Sequence, residues 1–248
     1  MAVLWTYQEQ TMSLPPTPAP TGSFPGFDTS MYPGDSTMSK WKAVSPYLFV
    51  AYYIKAPCHH DPGWMGKRAT LDDMGWNLLP VYVGQQVVGA SKCANNVLTA
   101  GQGQIDAEDA SSKLAADGFA AGAYVYLDVE RCELFPAALG EYVSSWVAKV
   151  VSAGLSPGVY CHKHNAADVR TATLAGLASP SAASPRFWIV GGVTADFHVN
   201  TSKPADSGIE FADLWQCPAS VSRTFGGAAI LIDEDVSSFA DPSAVIPT

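Results

Sequence analysis

From Phe24 onward, short apolar runs alternate with amphipathic stretches, and the pattern divides the chain into strands and helices. Residues 47–54, 77–84, 123–130, 158–162, 186–190, 211–217 and 228–236 read as strands rich in β-branched and aromatic side chains, and 26–30 as a short strand end. Helical periodicity covers the span from a Ser36 cap to Val44, a stretch closed by 71–75, and then 106–117, 137–153 and 165–177, with Gly118 and Gly154 as stops. Strands mostly separated by helices predict an α/β fold with a parallel sheet, and eight strands predict closure into a (β/α)8 TIM-like barrel. No convincing helix follows Val190 or Cys217, so the barrel is expected to be irregular, with helices missing near the last strands.

Residues 1–23 stand apart. Leu14-Pro15-Pro16-Thr17-Pro18-Ala19-Pro20-Thr21 predicts an extended polyproline-like arm. It reads as a flexible leader or as a docking segment for a protein partner, with Leu4, Trp5 and Tyr7 as anchors. The expected division is therefore an arm over 1–23 and a barrel over 24–248.

With 48% hydrophobic and 15% charged residues in 248, the chain can bury a sizeable core. Its 23 acidic against 14 basic residues give a net charge of −9 and no basic run, which argues against a nucleic-acid partner. No apolar stretch of about 18 residues is present, so no membrane span is expected. Residues 1–10 lack the positive start and apolar centre of an ordinary signal peptide. Localisation stays open on these grounds, with an extracellular, cell-wall or particle-associated setting favoured through some other export route. Cys58, Cys93, Cys132, Cys161 and Cys217 are too scattered for a zinc site of the Cys-x-x-Cys kind. They read as buried or free thiols, or else as a Cys58–Cys93 disulfide across neighbouring loops, which would imply an oxidising compartment. No nucleotide fingerprint is present, and no cofactor or metal is predicted.

The candidate chemistry lies at strand ends. Asp128 and Glu130 close an apolar strand and project to one side, with Tyr126 below them. Two adjacent carboxyl groups can hold a proton between them in a cleft. Asp28 ends the first strand, and Asp233 and Asp235 end the last, which places a ring of acids around one mouth. Aromatics end the others: Tyr52 or Tyr53, Tyr82, Tyr160, Trp188, and Trp215 followed by Gln216. Acids walled by aromatics suit a carbohydrate, whose ring faces stack and whose hydroxyls need acceptors. Against this stand two plainer readings, in which the acids form a solvated polar plug and Tyr126, Tyr160 and Trp188 fill core. Gly154-Leu155-Ser156-Pro157-Gly158 matches the nucleophile-elbow pattern but follows a helix and precedes a strand, the reverse of what an elbow needs. Cys58-His59-His60 and His162-Lys163-His164 read as loop histidines at the mouth.

These residues carry a resemblance. Gly26-Phe27-Asp28-Thr29-Ser30, Tyr126-Leu127-Asp128-Val129-Glu130, Leu214-Trp215-Gln216 and Ile232-Asp233-Glu234-Asp235-Val236 resemble the strand-end motifs of glycoside hydrolase family 25, the lysozyme-type muramidases. Residues 76–86, from Trp76 to Gln86, with the Cys58 loop before them, are similar to the glycoside-hydrolase-like barrel domain related to that family. The similarity spans about residues 24–239. It implies a glycosidase acting on an N-acetylated polysaccharide such as peptidoglycan. Glu130 would be the general acid, Asp128 would orient a substrate acetamido group as internal nucleophile, and Asp28 and Asp233 would line the pocket. Two departures stand out: Asp235 occupies a position where a neutral Asn is more usual, and Arg131 is a cation able to pair with Glu130 and keep it ionised. The alternative function is a non-catalytic barrel that binds glycan or docks in a larger assembly.

Overall fold

The computed structural model describes residues 22–90, 93, 97–177, 184–217 and 220–245. Residues 1–21 of the expected arm, including Leu4, Trp5 and Tyr7, lie outside the described residues. Seven parallel strands run around the barrel: β1 (Phe24–Asp28), β2 (Phe49–Ile54), β3 (Asn77–Val83), β4 (Tyr124–Val129), β5 (Ser156–His162), β6 (Arg186–Val190) and β7 (Leu214–Gln216). β8 (Val221–Phe225) follows, and then the long β9 (Ala228–Ser237). β9 pairs antiparallel with both β7 and β1, and so closes an eight-stranded barrel that leaves β8 outside.

The closing strand corrects the expectation of an all-parallel sheet. A parallel return needs a crossover of a dozen or more residues. The span from Gln216 to Ala228 is instead taken up by β8 and a two-residue turn, Gly226-Gly227, with φ of 57° and 75°. Both turn residues sit in the left-handed region that glycine enters without cost, as a hairpin of this twist requires. β9 therefore enters from the mouth and runs downward.

Five helices cover the outside: α1 (Asp35–Val44), α2 (Arg68–Asp73), α3 (Ala100–Ala116), α4 (Ala137–Ser152) and α5 (Ala166–Ala175). α4 buries Leu139, Tyr142, Val143, Trp146, Val147 and Val150, a stripe at helical spacing, each large side chain contributing about 1.5–3 kcal/mol. α3 begins six residues before its expected start, because Thr99 caps it by accepting the Gln102 N–H at 3.1 Å. Ser36 is not a cap. It lies inside α1, which starts after Gly34. Between β6 and β7 the chain makes only short 3₁₀ turns at Thr194–Asp196 and Pro204–Ser207, where a helix was not expected either.

The lower end of the barrel is filled. Arg186 is buried between the rings of Tyr124 and Phe239, 3.8 and 3.7 Å from their centroids, and donates to the Pro242 carbonyl at 2.7 Å. Tyr126 donates to the same carbonyl at 2.9 Å, with its ring against Gly158, where a Cβ would approach Tyr126 to 2.5 Å. With that end sealed, the mouth at the carboxyl ends of the parallel strands is where the acids gather. Cys58 and Cys93 form a disulfide, Cα–Cα 5.2 Å, joining the loops after β2 and β3, while Cys132, Cys161 and Cys217 are buried thiols. No helix among the described residues is long and apolar enough to cross a membrane.

Candidate active site

Because β9 runs opposite to its neighbours, its middle rather than its end lies at the mouth. Asp233 registers with Asp28 on β1, and Asp235 with Gln216 on β7. A cavity of about 90 Å³ opens there, lined by Asp28, Tyr53, Val81, Asp128, Tyr160, Trp188, Gln216 and Asp233. A larger cleft, about 300 Å³, lies outside the sealed lower end beside Ala123 and Ser243, and its Arg68 and Asp72 pair with each other at 3.0 Å.

Donors converge on Asp28. Its Oδ1 accepts the Tyr53 hydroxyl at 2.8 Å and its Oδ2 accepts the Gln216 amide. Gln216 is fixed in turn by the Tyr160 hydroxyl, which donates to its Oε1 at 2.7 Å. Trp188 donates its indole N–H to Asp235 Oδ1 at 3.0 Å, and Ser220 donates to Asp233 Oδ1 at 2.7 Å. Asp128 Oδ1 and Asp235 Oδ2 are buried without a donor among the described residues. The cavity is a place where carboxyl oxygens outnumber the hydrogens that the described residues offer them.

That imbalance shows in their acidity. Burial pushes Asp28 up to about 7, with the charge of Asp233 adding to it and the Tyr53 and Gln216 donors opposing. Asp128 is pushed well above the usual carboxylate range, first by burial and then by the charges of Glu130 and Asp28. Asp235 is raised in the same way, by burial and then by Asp28 and Asp233. Asp233 and Glu130 are raised by burial, against opposing hydrogen bonds from the Ser220 hydroxyl and the Arg131 backbone respectively. Arg131 does not pair with Glu130. Its guanidinium turns out to Glu133 at 2.9 Å, and among the described residues no ion pair reaches Glu130.

The structure brings together Asp28, Asp128, Glu130, Asp233, Asp235, Tyr160, Trp188 and Gln216. It does not bring Tyr82 or Trp215 to the cavity. Val81 faces inward, so Tyr82 alternates outward, where its hydroxyl donates to Asp109 on α3 at 2.9 Å. Trp215, next to the inward Gln216, faces outward against Phe197 and donates to the Gly191 carbonyl at 2.7 Å. Of the Tyr52/Tyr53 pair, Tyr53 lines the cavity, while Tyr52 donates to Asp117 outside at 2.6 Å. Among the described residues no group of three or more His, Cys, Asp or Glu side chains is arranged to hold a metal ion.

A closed barrel with one antiparallel strand and a carboxyl pair at the end of β4 defines a glycoside hydrolase-like domain. Residues 39–237 match the model of the Rv2525c-like, glycoside hydrolase-like domain, and the chain belongs to that family. Three solved structures share the fold. An uncharacterized B. stearothermophilus protein aligns over 86% of this chain and 95% of its own at 14% identity, TM-score 0.58. The Mycobacterium tuberculosis Tat-secreted protein Rv2525c, solved in complex with L-tartrate, aligns over 86% and 94% at 18% identity, TM-score 0.54. The bacterial lysozyme from Streptomyces coelicolor aligns over 87% and 92% at 15% identity, TM-score 0.52. No curated protein sequence matches the chain.

Proposed function

We propose that this protein is an exported glycosidase that cleaves an N-acetylated polysaccharide, with peptidoglycan as the leading substrate. The observation that carries the reading is Glu130, a carboxyl group whose acidity burial has lowered and which no described cation neutralises, beside the buried Asp128. Glu130 delivers its proton to the glycosidic oxygen, since a general acid works best with a pKa near the working pH. Asp128 orients the acetamido group of the substrate, its unpartnered Oδ1 accepting the amide N–H. Asp28, held by Tyr53 and Gln216, binds a sugar hydroxyl together with Asp233. The likeness to a Tat-secreted protein and to a lysozyme supports export and a cell-wall substrate, and the Cys58–Cys93 disulfide suits an oxidising compartment.

A second reading is a non-catalytic barrel that binds glycan or docks in an assembly. It is favoured by the size of the cavity, about 90 Å³, which holds a substituent of a few heavy atoms and leaves a sugar ring above the mouth. The deciding experiment is release of reducing ends from peptidoglycan and from chitin oligosaccharides between pH 4 and 8, with Glu130→Gln as control. The enzyme reading expects release by the wild type and a fall of at least about 100-fold in the variant, the contribution of one positioned acid. A folded wild type that binds these glycans and releases nothing establishes the second reading.

A further inference from the structure

The backbone that carries Glu130 is gripped by two buried side-chain amides. Gln86, 1% exposed, donates from Nε2 to the Asp128 carbonyl at 2.8 Å and accepts the Glu130 N–H on Oε1 at 3.0 Å. Asn165, 2% exposed, does the same two residues further on. It donates from Nδ2 to the Cys132 carbonyl at 3.0 Å and accepts the Cys132 N–H on Oδ1 at 3.1 Å. Gln86 comes from the loop after β3, and Asn165 from the residue before α5, just past the end of β5.

The positions explain the need. β3 last registers with β4 at Val83 and Asp128, and β5 at Cys161 and Val129, so the main-chain ladder runs out just below Glu130. Beyond it Arg131, Glu133 and Leu134 are exposed, with Leu134 84% accessible. Each amide offers one donor and one acceptor in a fixed plane, as a peptide group does, and so extends the ladder by side chain where the neighbouring strands have ended. Gln86 is itself anchored through its neighbour, since Gln85 accepts the Val97 N–H at 3.1 Å and donates to the buried Asp106 at 3.3 Å. We propose that Gln86 and Asn165 are positioning residues, a pair of amide clamps that fix the segment from Asp128 to Cys132 and thereby aim the Glu130 carboxyl at the substrate. The proposal rests on the reading of Glu130 as the acid.

The test uses the whole chain and two kinds of readout. Amide hydrogen exchange of Glu130 and Cys132 and the carboxyl carbon titration of Glu130 are followed by NMR in the wild type, Gln86→Met and Asn165→Leu. Reducing-end release from peptidoglycan is measured beside them. Loss of a clamp speeds exchange of the amide it held about tenfold, while residues 124–127 keep their protection and report an intact barrel. The Glu130 titration shifts in both variants, and kcat falls about 10- to 100-fold with little change in KM. Gln86→Glu retains both hydrogen bonds at acid pH, where its carboxyl is protonated and can donate, and loses the Asp128 bond as it ionises. Recovery at acid pH marks a positioning role, which a general packing defect would not show. The proposal is overturned if Glu130 titrates as in the wild type, and kcat is unaltered, in both Gln86→Met and Asn165→Leu. Should those variants unfold, Gln86→Glu and Asn165→Asp carry the same comparison. If the wild type releases no reducing ends, the enzyme reading fails by itself and the Glu130 titration decides the clamp.

Discussion

Asp235 is wholly buried, accepts an indole N–H on Oδ1, and has no donor on Oδ2 among the described residues. A carboxylate there would lie among the charges of Asp28 and Asp233, whereas a carboxylic acid can turn its Oδ2–H to Asp28. In that neutral form it has the hydrogen-bonding capacity of an asparagine: one acceptor for Trp188 and one donor for Asp28. Asp235→Asn is therefore expected to preserve the cavity. It should raise the melting temperature relative to wild type at pH 8, where the wild type must hold or expel that proton, and change little at pH 4. Equal pH dependence in the two proteins would show that Asp235 is not a proton carrier. At this scale Asp28, Asp128 and Glu130 were legible in the sequence because they close apolar strands, whereas Asp233 and Asp235 reach the same mouth from within the antiparallel β9. Tyr82 and Trp215 were misplaced because burial does not alternate along their strands: the five central residues of β3 and all three of β7 are buried, so no exposed face fixes which aromatic looks inward. Gln86 and Asn165 carried no signal by type, since an amide reads the same at a surface and at a clamp.

Among elements, helix–strand alternation made β1 to β6 and their order readable, because each strand–helix repeat returns by a parallel step, while β7 was readable only as an apolar run after a polar loop. The last strand escaped the rule. Its signal, Gly226-Gly227 between two strand-like runs, is local and marks a hairpin, but β8 reads as polar because its central residues face solvent. The loops that build the mouth were less legible, being held by contacts distant in sequence. The Cys58–Cys93 bridge, 35 residues apart, is the firmest of these. It ties the loop carrying His59, which packs 5.2 Å from Tyr53, to the loop that follows Gln86. Loop-closure entropy gives such a bridge about 3–4 kcal/mol, an upper bound if the unfolded loop keeps structure. Cys58→Ser with Cys93→Ser should lower stability by up to that amount in chemical denaturation without reductant. A loss under about 0.5 kcal/mol would mean the loops are held by their hydrogen bonds, the entropic share being negligible.

For the molecule as a whole, the buried acids set the main slope of stability against pH. Asp28, raised to about 7, Asp213, raised to about 6, and Asp128, Glu130, Asp233 and Asp235 all bind protons more tightly folded than unfolded. The unfolded chain releases these protons near pH 4, so between about pH 4 and 7 the native state holds more of them and stability falls as pH rises. Their contribution is fully present below the unfolded values and is lost as pH climbs through the folded ones. Glu234 opposes the trend, since Arg223 and the Tyr47 hydroxyl lower it despite burial, and so does Asp35, lowered by the Tyr32 hydroxyl and Lys67; both lose their stabilisation only as pH falls below the ordinary carboxylate range. His59 and His162, which burial holds below the ordinary imidazole value, gain stability as pH rises toward it, but they are two groups against six raised acids. The two slopes meet in mildly acid solution, which places the stability maximum there. Melting temperature measured from pH 3.5 to 8 should peak near pH 4–5 and decline toward 8. A curve that climbs through this window would mean that the fold does not hold the buried acids in their protonated form. The same protonation that spares the fold a cluster of charges is the one the proposed chemistry uses, so stability and activity should favour the same acid side of neutrality.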